Sequence, residues 1–340
     1  MDSQIKEEAE KVEELEEEEQ DEIKLIDELQ EQGIGMGDLN KLKAAGICTI
    51  SAVLMTTKKE LLNIKGISEQ KLEKIFDAAQ KVSNCGFNTG LHFLEKRKKM
   101  VFISTGSSNF DTLLCGGIET QSITEVFGEF RTGKTQLVHT VCVTAQLPKS
   151  MGGGQGKVIY IDTECTFRPE RIKKIAERFD LDPEKTLENI LVAEAWTVDR
   201  LNQLISQAAG LMMEDTFSLV VVDSIMAPFR VDFSGRGELS ERQQVLGKTL
   251  SRLHKIAEQF NVAVFMTNQV MADPGMNAAY AVDPKKPIGG NIMAHASTTR
   301  LYLRKGRGEQ RVCKIFDSPL IAEGECVFQI TDGGIADVAD

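Results

Sequence analysis

The stretch Val126-Phe127-Gly128-Glu129-Phe130-Arg131-Thr132-Gly133-Lys134-Thr135 constrains this chain more than any other. It reads G-x-x-x-x-G-K-T. A β-prone run (residues 122–127) leads in, and a helical pattern (136–147) leads out. That strand–loop–helix context separates a phosphate loop from a chance match. Gly128 and Gly133 permit a turn tight enough for successive backbone N–H groups, those of Glu129, Phe130, Arg131 and Thr132 among them, to converge on one anion. The helix that follows adds the positive end of its dipole. Lys134 offers a point charge to the β- and γ-phosphates, and the Thr135 hydroxyl is a hard oxygen suited to Mg2+. A nucleoside triphosphate is the expected ligand, with ATP and Mg2+ as cofactors.

At 340 residues, two folded units are expected. The longest apolar runs, such as residues 219–222, are far too short to span a bilayer. The acidic N-terminus carries no apolar signal segment, so neither membrane nor export is expected. The seven cysteines are odd in number and form no C-x-x-C pair, which argues against a disulfide framework or a zinc site. A reducing cytosol or nucleus fits best. The net charge of −11 misleads, because residues 1–22 hold twelve acids against Lys6 and Lys11 and carry −10 of it. The remaining chain is close to neutral, so the acidic total does not exclude a nucleic-acid partner.

Residues 1–22 read as a disordered acidic tail. Over residues 23–82 the pattern is helical, and Ile64-Lys65-Gly66-Ile67-Ser68 resembles the turn of a helix-hairpin-helix. Such a turn offers backbone N–H groups to a DNA phosphate. Residues 83–98 read as a linker entering a short helix, with Phe87 as a candidate subunit anchor. From residue 99 onward apolar strands (158–162, 189–195, 219–223, 262–267, then 301–304, 312–316 and 326–330) alternate with helices. The expected fold is α/β: a mostly parallel sheet covered on both faces, preceded by a small all-α helix-hairpin-helix domain.

Asp223 ends the run Leu-Val-Val-Val-Asp, where an acid beside a phosphate loop is the expected partner for Mg2+. Glu164 ends Tyr-Ile-Asp-Thr-Glu and can polarise a water for attack on the γ-phosphate. Asp162 competes for that role, and spacing alone does not choose. Gln269 can contact the γ-phosphate and report the contact to the loop behind it. Two stretches are expected to be loops that hold single-stranded nucleic acid. Residues 229–238 mix arginines with glycines and carry Arg230, Val231 and Arg236. Residues 270–292, about two dozen, are rich in Gly, Ala, Pro and Asn and carry Val270 and Lys285.

Taken together, Gly-Glu-Phe-Arg-Thr-Gly-Lys-Thr-Gln, Tyr-Ile-Asp-Thr-Glu, Thr-Phe-Arg-Pro-Glu-Arg, Asp-Phe-Ser-Gly-Arg-Gly-Glu-Leu, Asp-Pro-Lys-Lys-Pro-Ile-Gly-Gly and Ala-His-Ala-Ser-Thr-Thr-Arg resemble the eukaryotic RecA-family strand-exchange recombinases. Cys-Val-Thr-Ala-Gln-Leu-Pro, Phe-Arg-Val-Asp-Phe and Ala272-Asp273-Pro274-Gly275 are more similar to the meiosis-specific branch. Asn291 and the run from Thr298 to Glu309 also suit the general mitotic branch. The resemblance implies a RecA-like P-loop ATPase core over 99–340. It also implies a nuclear protein that forms a helical filament on single-stranded DNA, pairs it with double-stranded DNA, and works with recombination mediator proteins. The free protein is expected to be a homo-oligomer, either open or closed into a ring. By the same resemblance Glu164 is the base, Lys134 and Gln269 act with it, and Arg171 contacts adenine. His295 helps to sense the γ-phosphate. Arg230, Arg236 and Arg242 hold DNA phosphates, and Val270 wedges between base triplets. Arg131, Arg304 and Lys314 form a secondary site for duplex, and Phe87 with Gly90 anchors the next subunit. The chain departs from the family pattern at Gly90, Cys115, Cys165, Glu194 and Pro228.

Lys134→Ala is expected to abolish nucleotide binding, because the loop keeps its amides but loses its one point charge. Lys134→Arg, with a planar fork in place of that charge, should bind but turn over slowly. Titration with a fluorescent ATP analogue checks both.

Overall fold

Strands with apolar side chains on both faces are stable only where helices cover a sheet from both sides. The central strands here are of that kind, each buried along nearly its whole length. The protein, seen in a computed structural model, is described over residues 23–83, 86–235, 237–272 and 285–338. The acidic tail 1–22 lies outside the described residues. The chain divides into two compact units between Gly86 and Phe87.

The first unit is helical. A short 3-10 helix, Ile26–Gln30, precedes α1 (Met36–Ala44), α2 (Ile50–Met55), α3 (Lys58–Leu62) and α4 (Glu69–Val82). The side chains of Thr49, Thr57 and Ser68 accept the amides of Ala52, Glu60 and Lys71, capping the last three helices. Ile26, Leu29, Leu39, Leu42, Leu61 and Ile75 belong to a separate apolar core. Two glycine hairpins mark this unit. Gly66 (φ +88°) carries the one expected from sequence, and Gly33 (φ +83°) carries a second. Asp38 receives the ammonium groups of both Lys41 and Lys71 at 2.9 Å, and these two partners hold its carboxyl below the usual range.

The second unit opens with α5 (Gly90–Lys98), followed by β1 (Phe102–Ile103), α6 (Ser108–Leu113), β2 (Ile118–Glu119) and β3 (Ile123–Gly128). Then come α7 (Lys134–Thr144), β4 (Lys157–Asp162), α8 (Pro169–Arg178), α9 (Pro183–Glu188), β5 (Ile190–Glu194), α10 (Val198–Glu214) and β6 (Phe217–Asp223). The rest is α11 (Met226–Asp232), α12 (Leu239–Gln259), β7 (Ala263–Asn268), β8 (Val270–Ala272), β9 (Lys285–Pro287), α13 (Gly290–Ala296), β10 (Thr299–Lys305), β11 (Gln310–Asp317), β12 (Glu325–Thr331) and β13 (Gly334–Asp337).

Among the described residues the main sheet has nine strands in the order β13-β12-β11-β10-β3-β7-β6-β4-β5. From β10 to β5 the pairings are parallel, and β11, β12 and β13 extend one edge antiparallel. One apolar core packs α7 and α8 on one face, and the other packs α10, α12 and Met293 of α13 on the opposite face. Parallel strands put the phosphate loop after β3, Glu164 after β4, Asp223 at the end of β6 and Gln269 after β7 along one edge, the usual ligand side of such a sheet.

Two expectations are corrected. Residues 229–238 do not form a loop from their first residue: Phe229, Arg230, Val231 and Asp232 lie in α11, because Phe229 is fully buried and Asp232 accepts the amide of Val198 at the start of α10 (2.7 Å). Residues 270–292 are not one long loop either. β8 pairs with β9 antiparallel, and Ile292 lies in α13. Gly289 (φ +111°) provides the left-handed turn before that helix.

Ile75→Ala removes a side chain only 1 % exposed in the first unit's core. It should cost about 2–5 kcal/mol. Because the two cores are separate, hydrogen exchange should accelerate in α1–α4 and leave β3, β6 and β7 protected.

Candidate nucleotide and nucleic-acid site

The phosphate loop closes on itself as its spacing requires. A Cβ on Gly128 would sit 2.3 Å from the Leu303 carbonyl oxygen of β10, so only glycine fits where the loop leaves the sheet. Gly133 (φ +100°) turns the chain into α7. The Thr132 hydroxyl donates to the Glu129 carbonyl at 2.8 Å. The Lys134 ammonium lies within the loop and donates to the carbonyls of Gly128 and Glu129, each at 2.8 Å. Burial holds its pKa below the ordinary value, opposed by Asp223, Glu164 and Glu129.

Asp223, 2 % exposed, gathers the hydroxyls around it. Its Oδ2 accepts from Thr135 (3.0 Å), Tyr160 (2.9 Å) and Thr166 (3.2 Å), and its Oδ1 accepts from Thr267. Burial and the Asp223 charge push the Tyr160 hydroxyl well above its ordinary pKa, so it remains a donor. Thr135 and Asp223 thus stand together, one hydroxyl oxygen and one carboxylate. Among the described residues no cluster of three or more His, Cys, Asp or Glu could hold a metal by itself. This pair fits Mg2+, which takes few protein ligands and completes its shell with phosphate and water.

Asp162 and Glu164 differ in their partners. Asp162 is buried, and both its oxygens accept backbone amides: Glu164 at 3.1 Å, Thr166 at 3.2 Å and Phe167 at 3.0 Å. It shapes the turn after β4. Glu164 is exposed, and its Oε1 accepts from the Ser224 hydroxyl (2.8 Å) and the Gln269 amide (2.7 Å). Gln269 in turn accepts from the Arg230 guanidinium at 2.6 Å. The three residues form one chain from the nucleotide edge to α11.

Sequence reasoning missed His139 altogether. It is fully buried in α7, clustered with the rings of Tyr160 and Phe167, which also touch each other. Its Nε2 accepts the Arg168 amide (3.1 Å), so its Nδ1–H donates to the Thr135 carbonyl (2.7 Å). A histidine two turns into an apolar helix gives no signal until β4 and the Arg168 turn are packed on it.

Other expected contacts sit elsewhere. Arg171 donates through Nε to Gln136 (2.9 Å) and through its terminal nitrogens to the carbonyls of Thr331 and Asp332, bracing the β12–β13 turn. His295 is exposed in the last turn of α13. Val231 is 70 % exposed. Arg242 is half-buried on α12, and its Nε has no hydrogen-bond partner among the described residues. Arg236 lies outside the described residues, as does the side chain of Lys285. Val270 pairs with Pro287 at the base of the β8–β9 hairpin. On the antiparallel edge Arg304 pairs with Glu325 (2.7 Å) and Lys314 with Glu323 (3.5 Å). Such surface pairs are worth little and give way to a phosphate. Arg131 (φ +63°) stacks on the exposed Phe130 ring at 5.2 Å.

Phe87 stands fully clear of its own unit, with Leu91, Phe93 and Leu94 more than half exposed along α5. No residue of that helix is buried. At the far edge of the sheet β5 exposes Leu191 and Val192.

A Rad51 family model matches residues 96–338, and a SAM-like helix-hairpin-helix tandem matches residues 26–81. The chain is 59 % identical to a meiotic recombination protein DMC1 homolog of Lilium longiflorum, over 96 % of this chain and 93 % of the relative. It is 57 % identical to the DMC1/LIM15 homolog of Mus musculus and 56 % to that of Homo sapiens, over 93 % of each chain in both cases. The chain belongs to the Rad51 family. As in that family, a RecA-like core with a mostly parallel sheet follows a helix-hairpin-helix domain. The turns at Gly33 and Gly66 both lie within the residues the tandem matches.

Two departures of this Rad51-family chain now have a physical meaning. Cys115 (φ +58°) and Cys165 (φ +56°) occupy left-handed backbone, which costs a side-chain-bearing residue about 1–2 kcal/mol and glycine nothing. Cys165 follows Glu164 directly, so the turn carrying that carboxylate is strained. Gly90 is different: a Cβ there would meet nothing within 4 Å, so no contact within the chain requires glycine.

Burial holds His139 below its ordinary pKa of 6.5. As pH falls the unfolded chain takes up this proton before the folded one. Its contribution to stability is therefore complete above about pH 6.5 and declines below that. Thermal unfolding from about pH 7.5 to about 5.5 should show a smaller loss in His139→Gln than in the parent, and equal losses would exclude the assignment.

Proposed function

We propose that this protein is an ATP-dependent recombinase of meiotic recombination, nuclear, which assembles on single-stranded DNA and exchanges strands with a homologous duplex. Its membership of the Rad51 family and its likeness to DMC1 homologs along nearly the whole chain support the class of activity. The observation that carries the mechanism is the chain Glu164–Gln269–Arg230, in which the candidate base, the candidate γ-phosphate sensor and a candidate DNA-binding arginine touch in sequence.

When ATP and Mg2+ are bound, the metal supplies charge neutralisation across the β- and γ-phosphates. Gly128 to Gly133 bind the phosphates through backbone amides, and Lys134 turns its ammonium from the loop carbonyls toward them. Thr135 and Asp223 hold the metal. Glu164 takes a proton from the attacking water, since both Asp162 oxygens are committed to the turn. Among the described residues Gln269 is the side chain that hydrogen-bonds both Glu164 and Arg230, so a change at the γ-phosphate reaches α11 and the base of the β8–β9 hairpin through it. On the DNA side Arg230, Arg236, Arg242 and Lys285 neutralise phosphates, and Val270 contacts base stacks. Arg304, Lys314 and Arg131 serve an incoming duplex. Phe87 and the exposed face of α5 dock on a neighbouring copy, and the apolar edge strand β5 is a surface of matching character. Recombination mediator proteins are the expected accessory partners.

Electron microscopy with single-stranded DNA, ATP and Mg2+ tests the assembly, beside a joint-molecule assay. Filaments and joint molecules are expected. Closed rings on DNA would indicate a helicase, and neither form a regulatory ATPase. Phe87→Glu should leave a folded protein that forms no filaments, because a carboxylate entering an apolar notch costs several kcal/mol. Unfolding of that variant would place Phe87 in its own core instead.

Glu164→Gln should bind ATP and assemble, yet hydrolyse it slower by about 10²–10⁴-fold, the typical loss of a general base. A near-normal rate would remove Glu164 from the role.

A further inference from the structure

Glu125 lies in β3, three residues before Gly128, and is 0 % exposed. Its Oε2 accepts Nε–H of Arg300 at 2.7 Å and the Ser297 hydroxyl at 3.4 Å, and its Oε1 accepts Nδ2–H of Asn268 at 2.7 Å. Arg300 is buried and sits over the rings of Phe127 (5.5 Å) and Phe316 (5.3 Å). Asn268, also fully buried, reaches further. Its Nδ2 donates to the Ile288 carbonyl at 2.6 Å, and its Oδ1 accepts the Gln269 amide at 2.8 Å. The Ile288 amide closes the ring by donating to the Gln269 carbonyl at 3.0 Å.

A buried ion pair contributes little net stability, since desolvation offsets its attraction, and apolar residues fill the same volume as well. What it adds is direction. A polar cluster that only satisfied itself would need no partner beyond Glu125 and Arg300. Here one amide side chain holds both feet of the 270–287 hairpin, Gln269 at the start and Ile288 at the end. It is fixed in turn by a carboxylate on the strand that becomes the phosphate loop.

We propose that Glu125, Asn268 and Arg300 are positioning residues that clamp the base of the β8–β9 hairpin to β3, so that occupancy of the phosphate loop is felt at both feet of the hairpin. The proposal rests on the functional reading above and deepens it by assigning the link between nucleotide and DNA surface.

Hydrogen exchange of the full chain, with and without a non-hydrolysable ATP analogue and Mg2+, tests it directly. In the parent the analogue should slow exchange of the Ile288 amide by about tenfold or more, the usual scale of coupling between sites. Asn268→Ala removes both hairpin bonds and keeps the ion pair. Glu125→Gln with Arg300→Met removes both charges, so neither is left buried alone. Both variants should still bind the analogue, within about threefold of the parent, yet lose the nucleotide-dependent slowing. Should the double variant fail to fold, Asn268→Ala alone decides. Retention of the slowing in Asn268→Ala, or its absence in the parent, overturns the proposal. Hydrolysis with and without single-stranded DNA separates this from the functional reading. A parent that DNA does not stimulate refutes that reading, whereas a stimulated parent should lose about tenfold of the effect in Asn268→Ala.

Discussion

One buried carboxylate organises the nucleotide edge. Asp223 ends β6 with almost no exposure, and a charge in such a place must be met by donors. The donors come from four directions: Thr135 from α7, Tyr160 from β4, Thr166 from the turn after β4 and Thr267 from β7. Each bond fixes one strand or helix end relative to the others. The phosphate loop, the Glu164 turn and the approach to Gln269 are therefore placed by a single group. His139 completes the arrangement from behind, joining the first turn of α7 to the Arg168 amide.

Outward from that edge the polar contacts change in kind. Near Asp223 and Glu125 they are buried, multiply bonded and stiff. At Arg230, Arg304 and Lys314 they are exposed single pairs with Gln269, Glu325 and Glu323. The first kind fixes the elements it joins relative to one another. The second kind is readily exchanged for phosphate, because exposed pairs are screened and worth little. A protein that hydrolyses a nucleotide in one place and grips a polyanion in another needs both. The exposed apolar faces of α5 and β5 add a third property, a reason to assemble.

Much of this was legible in the chain. The glycine spacing and lysine of the phosphate loop, the acid ending a run of valines, and the alternation of buried strands with helices are local patterns, and local patterns are what a sequence displays. The likeness to strand-exchange recombinases rested on the same short runs. Phe87 stood out for a related reason, as a large apolar residue in a Gly, Asn and Ser context. The readings that needed correction were of another sort. Residues 229–232 look loop-like beside Ser234, Gly235 and Gly237, but Phe229 finds a core and Asp232 a helix terminus to cap. The stretch rich in Gly, Ala, Pro and Asn gave no hint that Val270–Ala272 would pair with Lys285–Pro287.

The sequence by itself determined the phosphate-loop motif and the layered α/β fold. Backbone turns and hydrophobic periods act over a few residues and need nothing distant. Only the tertiary structure shows how the surroundings of Asp162 and Glu164 differ, because both are acids at the end of one strand. What separates them is which has three backbone amides folded onto it. Only the fold could show that Glu125, Asn268 and Arg300 are one object, since they lie far apart along the chain and meet because β10, β3 and β7 are neighbours in the sheet. Long-range pairing of this kind is decided by the packing of whole strands, and no single stretch of sequence carries it.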